Sequence, residues 1–95
     1  LNFFFWQTSP KEFAMIPERL KTARKKRHYT QELLAIKAGI DESTASSRIS
    51  QYENGYSVPS YQLMQKIASI LQIPTCYFYC DDEELADYLI NYYRR

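Results

Sequence analysis

The 95-residue chain predicts an all-α fold, and three observations carry that expectation. Apolar residues recur at three- and four-residue steps, most regularly at Leu63, Met64, Ile67, Ala68 and Leu71. Residues that favour helix starts stand ahead of such runs, at Thr30, Pro59-Ser60 and Asp81-Asp82, while both glycines, Gly39 and Gly55, stand where runs end. No segment alternates apolar and polar residues as a half-buried strand does.

Seven helical segments are expected in order. Ser9-Pro10-Lys11-Glu12 has the form of a capping box with proline at the first helical position, so a short helix is expected over 10–15. Pro17 opens the next helix, which runs to about Lys26 with Leu20 and Ala23 facing inward. Thr30 caps a third segment, in which Leu33, Leu34 and Ala38 fall on one face. Gly39 can take the left-handed conformation that stops it, and Ile40 offers the apolar contact that often follows. A fourth restarts near Ser43 or Thr44, places Ile49 and Tyr52 on one face and ends at Asn54-Gly55. After the strongly amphipathic helix opened by Pro59-Ser60, Ile73-Pro74 breaks the pattern and starts a short one carrying Tyr77 and Phe78. The last segment opens on Asp81-Asp82-Glu83-Glu84 and ends in Arg94-Arg95, an acid-to-base order that suits the helix dipole.

Composition limits the class. The length suits one domain with a modest core. Aromatic residues make up 16% of the chain, nine of them tyrosines, so composition does not predict disorder. The net charge of +1 is uneven: residues 1–56 carry nine Lys/Arg against six Asp/Glu, and residues 57–95 carry three against five. Lys21, Arg24, Lys25, Lys26 and Arg27 concentrate the positive charge at one helix end, where a phosphate backbone would be met. Cys76 and Cys80 lack a further Cys or His at metal-ligand spacing and read as buried thiols suited to a reducing cytoplasm. His28 has no nucleophile in recognisable relation to it, and no Gly-rich phosphate loop is present. The sequence therefore predicts no enzyme, no metal and no cofactor. The opening Leu-Asn-Phe-Phe-Phe-Trp is too short to span a bilayer and lacks the basic start of a signal peptide. It is expected to pack on its own domain or to contact a second subunit.

Helix, glycine turn, helix is the arrangement that lays a second helix into the DNA major groove. The second helix of this pair carries Ser43, Thr44, Ser46, Ser47, Arg48, Ser50 and Gln51 off its core face, a set without an apolar member. A helical hairpin with a solvated face has the same pattern, so the pattern alone leaves both readings open.

From about Ile16 to Tyr79 the chain resembles the helix-turn-helix family of lambdoid phage repressors and Cro proteins, the Xre family. The matching pieces are Leu20-Lys21-Thr22-Ala23-Arg24, Thr30-Gln31-Glu32-Leu33-Leu34-Ala35 and Ala38-Gly39-Ile40. They continue with Arg48-Ile49-Ser50-Gln51-Tyr52-Glu53-Asn54-Gly55, Pro59 and Lys66-Ile67-Ala68-Ser69-Ile70-Leu71. No single piece is specific; their order is. The resemblance implies a five-helix DNA-binding domain over 16–80, flanked by an aromatic extension over 1–15 and an additional C-terminal helix over 81–95. It implies a structural ion pair between Arg24 and Glu53, and small residues at Ala35 and Gly39 where helices cross. Gln31 and Asn54 match positions that contact the phosphate backbone, with the Gln31 amide also able to touch the reading helix; Lys25 joins them as a phosphate contact. Ser46, Ser47, Ser50 and Gln51 match the exposed face of the reading helix, beside Arg48. Arginine can bind guanine and glutamine adenine with two bonds each, whereas serine discriminates little. Arg48 and Gln51 are therefore expected to specify sequence, and the serines to adapt.

Two departures from the family pattern matter. Gly39 and Gly55 are sixteen apart, about four more than in the compact phage proteins, close to one helical turn of ~3.6 residues. The added Asp41-Glu42-Ser43-Thr44 either lengthens the turn or extends the reading helix. Many relatives also carry Lys or Arg just after the Glu-Asn-Gly, where this chain has Tyr56-Ser57-Val58; that loss should flatten the salt dependence of binding.

Beyond the matched region, Leu85, Tyr88, Leu89, Tyr92 and Tyr93 recur at three- and four-residue steps as a broad apolar and aromatic stripe, expected to meet its copy in a homodimer. The resulting expectation is a cytoplasmic, non-membrane regulator that binds double-stranded operator DNA, a repressor acting as a dimer. Two alternatives stand beside it: an antitoxin whose aromatic termini hold a toxin, and a protein-interaction module that has lost DNA binding.

Overall fold

The computed structural model describes residues 14–94, which form helices and turns without a strand. Five α-helices follow one another: α1 Pro17–Lys26, α2 Gln31–Lys37, α3 Ala45–Glu53, α4 Tyr61–Leu71 and α5 Glu83–Leu89. A 3₁₀ helix, Thr75–Tyr79, joins α4 to α5, and a second, Tyr92–Arg94, follows α5.

The starts follow from side chains that satisfy the first free N–H groups. Thr30 Oγ1 accepts from Leu33 N at 3.0 Å, Ser60 Oγ from Leu63 N at 3.1 Å, and Asp82 Oδ1 from Leu85 N at 2.9 Å. Pro17 opens α1 at a position where its missing N–H costs nothing. The stops share one motif. At the end of α2, Gly39 N donates to Ile36 O at 3.0 Å and Ile40 N to Ala35 O at 2.9 Å, with Gly39 at φ +90°. Gly55, at φ +77°, does the same for α3. His28 and Gln72 occupy the equivalent left-handed positions after α1 and α4, at φ 63° and 58°.

The core gathers one face from each element. Leu20 and Ala23 come from α1, Leu34 and Ala35 from α2, Ala45 and Ile49 from α3, and Met64, Ile67 and Leu71 from α4. Phe78 of the 3₁₀ helix is fully buried among them, and full burial of each large apolar side chain contributes about 1.5–3 kcal/mol. Ile16 N donates to Phe78 O at 2.8 Å, fastening the chain ahead of α1 to this 3₁₀ helix. Arg19 adds a second tie: Nε donates to Cys80 O at 2.9 Å, Nη1 to Glu83 Oε1 at 3.1 Å, and the guanidinium lies 5.7 Å from the Tyr77 ring centroid. Burial works against the charge of Arg19, but the hydrogen bond and charge of Glu83 outweigh it, so its pKa lies above the ordinary value. Tyr77 is pushed up mainly by burial, partly offset by Arg19.

Several sequence expectations are corrected. Leu33 is 45% exposed; the inward face of α2 is Leu34, Ala35 and Ala38. Gly39 does not serve a close crossing, because a Cβ there would meet nothing within 4 Å; its positive φ is what requires glycine. Ala35 is fully buried. Cys76 is exposed on the 3₁₀ helix and Cys80, extended just past its end, is half-buried, so the two do not share an α-helical face. The helix expected from Asp81 to Arg95 ends at Leu89. In a continuing helix the carbonyl of Ile90 would accept from residue 94; it accepts instead from Arg27 Nη2, and Arg94 N turns to Asn91 O in the tighter 3₁₀ pattern. Of the helix expected over 10–15, residues 10–13 lie outside the described residues, as does the aromatic run Phe3–Trp6, while Ala14 and Met15 are not helical.

Candidate nucleic-acid interface

The second helix of the helix-turn-helix pair is α3, and its sequence divides cleanly by exposure. Ala45, Ile49, Tyr52 and Glu53 turn inward. Ser46, Ser47, Arg48 and Gln51 are exposed, Ser50 is half-buried, and Asn54 is exposed just past the end. The added residues lengthen the turn, not the helix: α3 begins at Ala45, and Glu42, Ser43 and Thr44 form the turn ahead of it. Asp41 organises that turn, with Oδ1 accepting from Ser43 N at 3.2 Å and its carbonyl from Thr44 N at 3.0 Å.

A buried polar network fixes α3 against the helices behind it. Arg24 of α1 donates from Nε to Glu53 Oε2 at 2.5 Å and from Nη2 to Glu53 Oε1 at 3.2 Å, a two-bond fork. The side chains of the pair are only 10% and 2% exposed. The third arm of Arg24, Nη1, donates to Tyr29 O at 2.8 Å and so closes the end of α1 as well. Gln31, at the start of α2, donates from Nε2 to Glu53 Oε1 at 3.1 Å, and its Oε1 accepts from Ser46 Oγ at 3.4 Å. Among the described residues no buried side-chain nitrogen or oxygen is left without a partner.

The exposed face has its own bonds. Ser47 Oγ donates to Thr44 O at 3.1 Å; Asn54 Nδ2 donates to Ser50 O at 2.8 Å and lies 3.3 Å from Ser50 Oγ. Gln51 Oε1 accepts from Ser57 Oγ at 3.4 Å. Arg48 is fully on the outer face, and Lys25 is exposed at the end of α1. Thus Arg24, Gln31, Glu53 and Ser46 are brought into one connected set, Ser50 with Asn54 into another, and Lys25 and Arg48 stand apart from both. Spacing in the sequence does not reveal Ser57 or Tyr29 as participants. Ser57 reaches Gln51 because Gly55 reverses the chain, and Tyr29 enters through its carbonyl, which no side-chain pattern records.

The comparisons agree with this geometry. The helix-turn-helix family HTH_3 matches residues 20–78. Among solved structures, the crystal structure of the transcriptional regulator BswR is similar with a TM-score of 0.80 at 36% identity, over 85% of this chain and 80% of that one. No curated protein matches. A matched segment spanning α1 through the 3₁₀ helix, with α2, turn and α3 at its centre, shows that the chain belongs to the helix-turn-helix family of Xre and lambdoid repressor–Cro type, a family of DNA-binding regulators.

Proposed function

We propose that the protein is a sequence-specific binder of double-stranded DNA that acts as a dimeric repressor by laying α3 in the major groove. The observation that carries this reading is the outer face of α3: four exposed polar or cationic side chains and no exposed apolar one, on a helix anchored from behind by the Arg24–Glu53 fork. A face of that composition can exchange water for base edges at little cost, and a rigid backing keeps the register. Ser46, Ser47, Arg48, Ser50 and Gln51 meet bases; Gln31, Asn54 and Lys25 meet phosphates. Dimerisation belongs to residues 81–95, where Leu85 is 48% and Tyr93 63% exposed, and a two-fold pair would set the reading helices ~34 Å apart. Among the described residues no helix is long and apolar enough to cross a membrane, and we place the protein in the cytoplasm.

Selection of bound sequences from random duplex DNA tests the reading. The expected product is an inverted repeat with half-sites about one DNA turn, ~10 bp, apart. Failure to enrich any sequence rejects it. A second reading, an antitoxin or another protein-binding module, draws on Tyr56 and Val58, 82% and 59% exposed where many relatives are expected to carry cations, and on Tyr61 nearby, 54% exposed. Co-purification with the product of a neighbouring gene would favour the antitoxin, which would also bind DNA, and absence of any DNA enrichment would favour the module that has lost it.

A further inference from the structure

A free serine hydroxyl has one hydrogen to give and two lone pairs to accept with, so it can serve any base edge. Ser46 and Ser47 of α3 are not free in this sense. The constraint begins at Glu53, whose carboxylate can only accept and so requires Gln31 to turn its NH₂ toward it, at 3.1 Å. That fixes the amide. Gln31 Oε1 then faces Ser46 Oγ at 3.4 Å, the outer reach of a hydrogen bond, and an amide oxygen cannot donate. Ser46 must give its single hydrogen to Gln31, and only lone pairs are left to face outward. Because Arg24 grips both Glu53 oxygens, the chain of orientation runs from a buried ion pair to an exposed hydroxyl: Arg24, Glu53, Gln31, Ser46. Ser47 reaches the same condition by another route, giving its hydrogen to Thr44 O at 3.1 Å.

We propose that Ser46 is a specificity-determining residue that reads only as an acceptor, selecting base pairs that set an exocyclic amino group opposite it, and that Gln31 is the positioning residue that fixes this polarity. In the major groove the available amino groups are adenine N6 and cytosine N4, whereas guanine O6 and thymine O4 are acceptors that would meet the Ser46 lone pairs head-on. At the position Ser46 faces, one strand therefore carries adenine or cytosine and excludes guanine and thymine. Ser47 imposes the same preference on its own base, independently of Gln31. The inference rests on the DNA-binding reading and adds to it the chemical class of base that the site takes.

The test is selection from random duplex DNA with the full chain, comparing the parent with Ser46→Ala and Gln31→Met, each checked for an unchanged helical spectrum and a cooperative melt. In the parent, one half-site position should favour amino over keto bases by about fivefold or more, the lower end of what a wrong base pair costs. Ser46→Ala should lose that preference. Gln31→Met should flatten the same position to within about twofold, because the freed hydroxyl can then donate or accept, while the position read by Ser47 keeps its preference. Rescue by Ser46→Thr, which retains the hydroxyl, should restore the amino preference. A keto preference at the position that responds to Ser46→Ala, or a Gln31→Met motif identical to the parent's, overturns the proposal and leaves DNA binding standing. No enriched sequence from the parent overturns both.

Discussion

Arg27 Nη2 lies 2.7 Å from the carbonyl oxygen of Ile90, and Nε of the same guanidinium lies 2.9 Å from that of Leu71. One side chain at the end of α1 thus caps the ends of α4 and α5 together, where helix carbonyls lack partners and the dipole favours a cation. Burial lowers the pKa of Arg27 from its ordinary value, and the charge of Arg94 adds to that effect, so its two short bonds are offset by desolvation and repulsion. Hydrogen bonds to a charged group contribute about 1.5–3 kcal/mol, so Arg27→Met should lower stability by about 2 kcal/mol in denaturant melts. Arg27→Lys should recover only part of this, since one ammonium does not reproduce the planar fork. An unchanged midpoint for Arg27→Met would show that the packing of Ala86, Leu89 and Ile90 and the Arg19–Glu83 bond hold α5 without it.

The Arg24–Glu53 fork makes a second prediction, with a larger magnitude. Removing one partner leaves the other buried and unpaired, which costs about 3 kcal/mol or more, so Glu53→Ala should be severely destabilising. The Arg24→Ala/Glu53→Ala double variant should lose less than the two single losses summed, because the second change removes a charge already orphaned. Strict additivity would show that the fork contributes no coupling.

Both predictions show how far the sequence could be read. The helix pair around Gly39 was legible because it rests on a local pattern, two amphipathic runs with a glycine between, whereas the Arg24–Glu53 pair, 29 residues apart, was legible only through the family resemblance. Arg27 was legible only as one more member of a basic run, since its partners are backbone carbonyls 44 and 63 residues away. The same blindness extended the last helix through Tyr92: the stripe continues in three- and four-residue steps, but a carbonyl taken by a distant side chain does not appear in periodicity. Leu33 was misplaced for a related reason: the inward face runs from Leu34 to Ala35 and Ala38, and the spacing does not say on which side of Leu34 that face lies.

The left-handed stops give a third prediction. Gly39 and Gly55 announce helix ends in the sequence, but His28 and Gln72 hold the same conformation with a side chain attached. An L-residue there carries about 1–2 kcal/mol of strain, of which glycine's greater unfolded freedom cancels roughly half. His28→Gly should therefore stabilise the fold by about 0.5–1 kcal/mol in thermal or denaturant melts. Gln72→Gly should gain less, because its Oε1 accepts from Arg94 at 3.4 Å. A loss at His28 would mean that its side chain contributes more than the backbone strain.

Base reading supplies the fourth. Arg48 and Gln51 lie on the exposed face of α3, and Arg48→Ala and Gln51→Ala should each weaken binding to the selected sequence by ~1–3 kcal/mol while leaving random-duplex affinity nearly unchanged. Lys25→Ala should act oppositely, weakening all sequences alike and reducing the salt slope by about one. Equal discrimination by both α3 variants and the parent would move base reading to another surface.

The fifth prediction concerns the C-terminal segment. Leu85, Tyr88, Tyr92 and Tyr93 are exposed to between 39% and 63%, and Tyr92 makes edge contacts with Tyr88 and Tyr93, at 5.9 and 5.4 Å between centroids. Leu89, by contrast, is half-buried against the core, so charging it would test folding and not association. Three half-exposed rings offer roughly 300 Å², while a stable interface needs about 800 Å² from each partner. Further surface is required, and Phe3, Phe4, Phe5 and Trp6 are the aromatic supply the sequence holds in reserve. Leu85→Asp/Tyr93→Asp should therefore give a folded monomer with weakened affinity for the selected inverted repeat, and deletion of residues 1–6 should loosen the dimer. Sedimentation of each form at tens of micromolar decides between the outcomes. A parent that sediments as a monomer rules out the C-terminal contact and makes the exposed tyrosines a surface for some other protein.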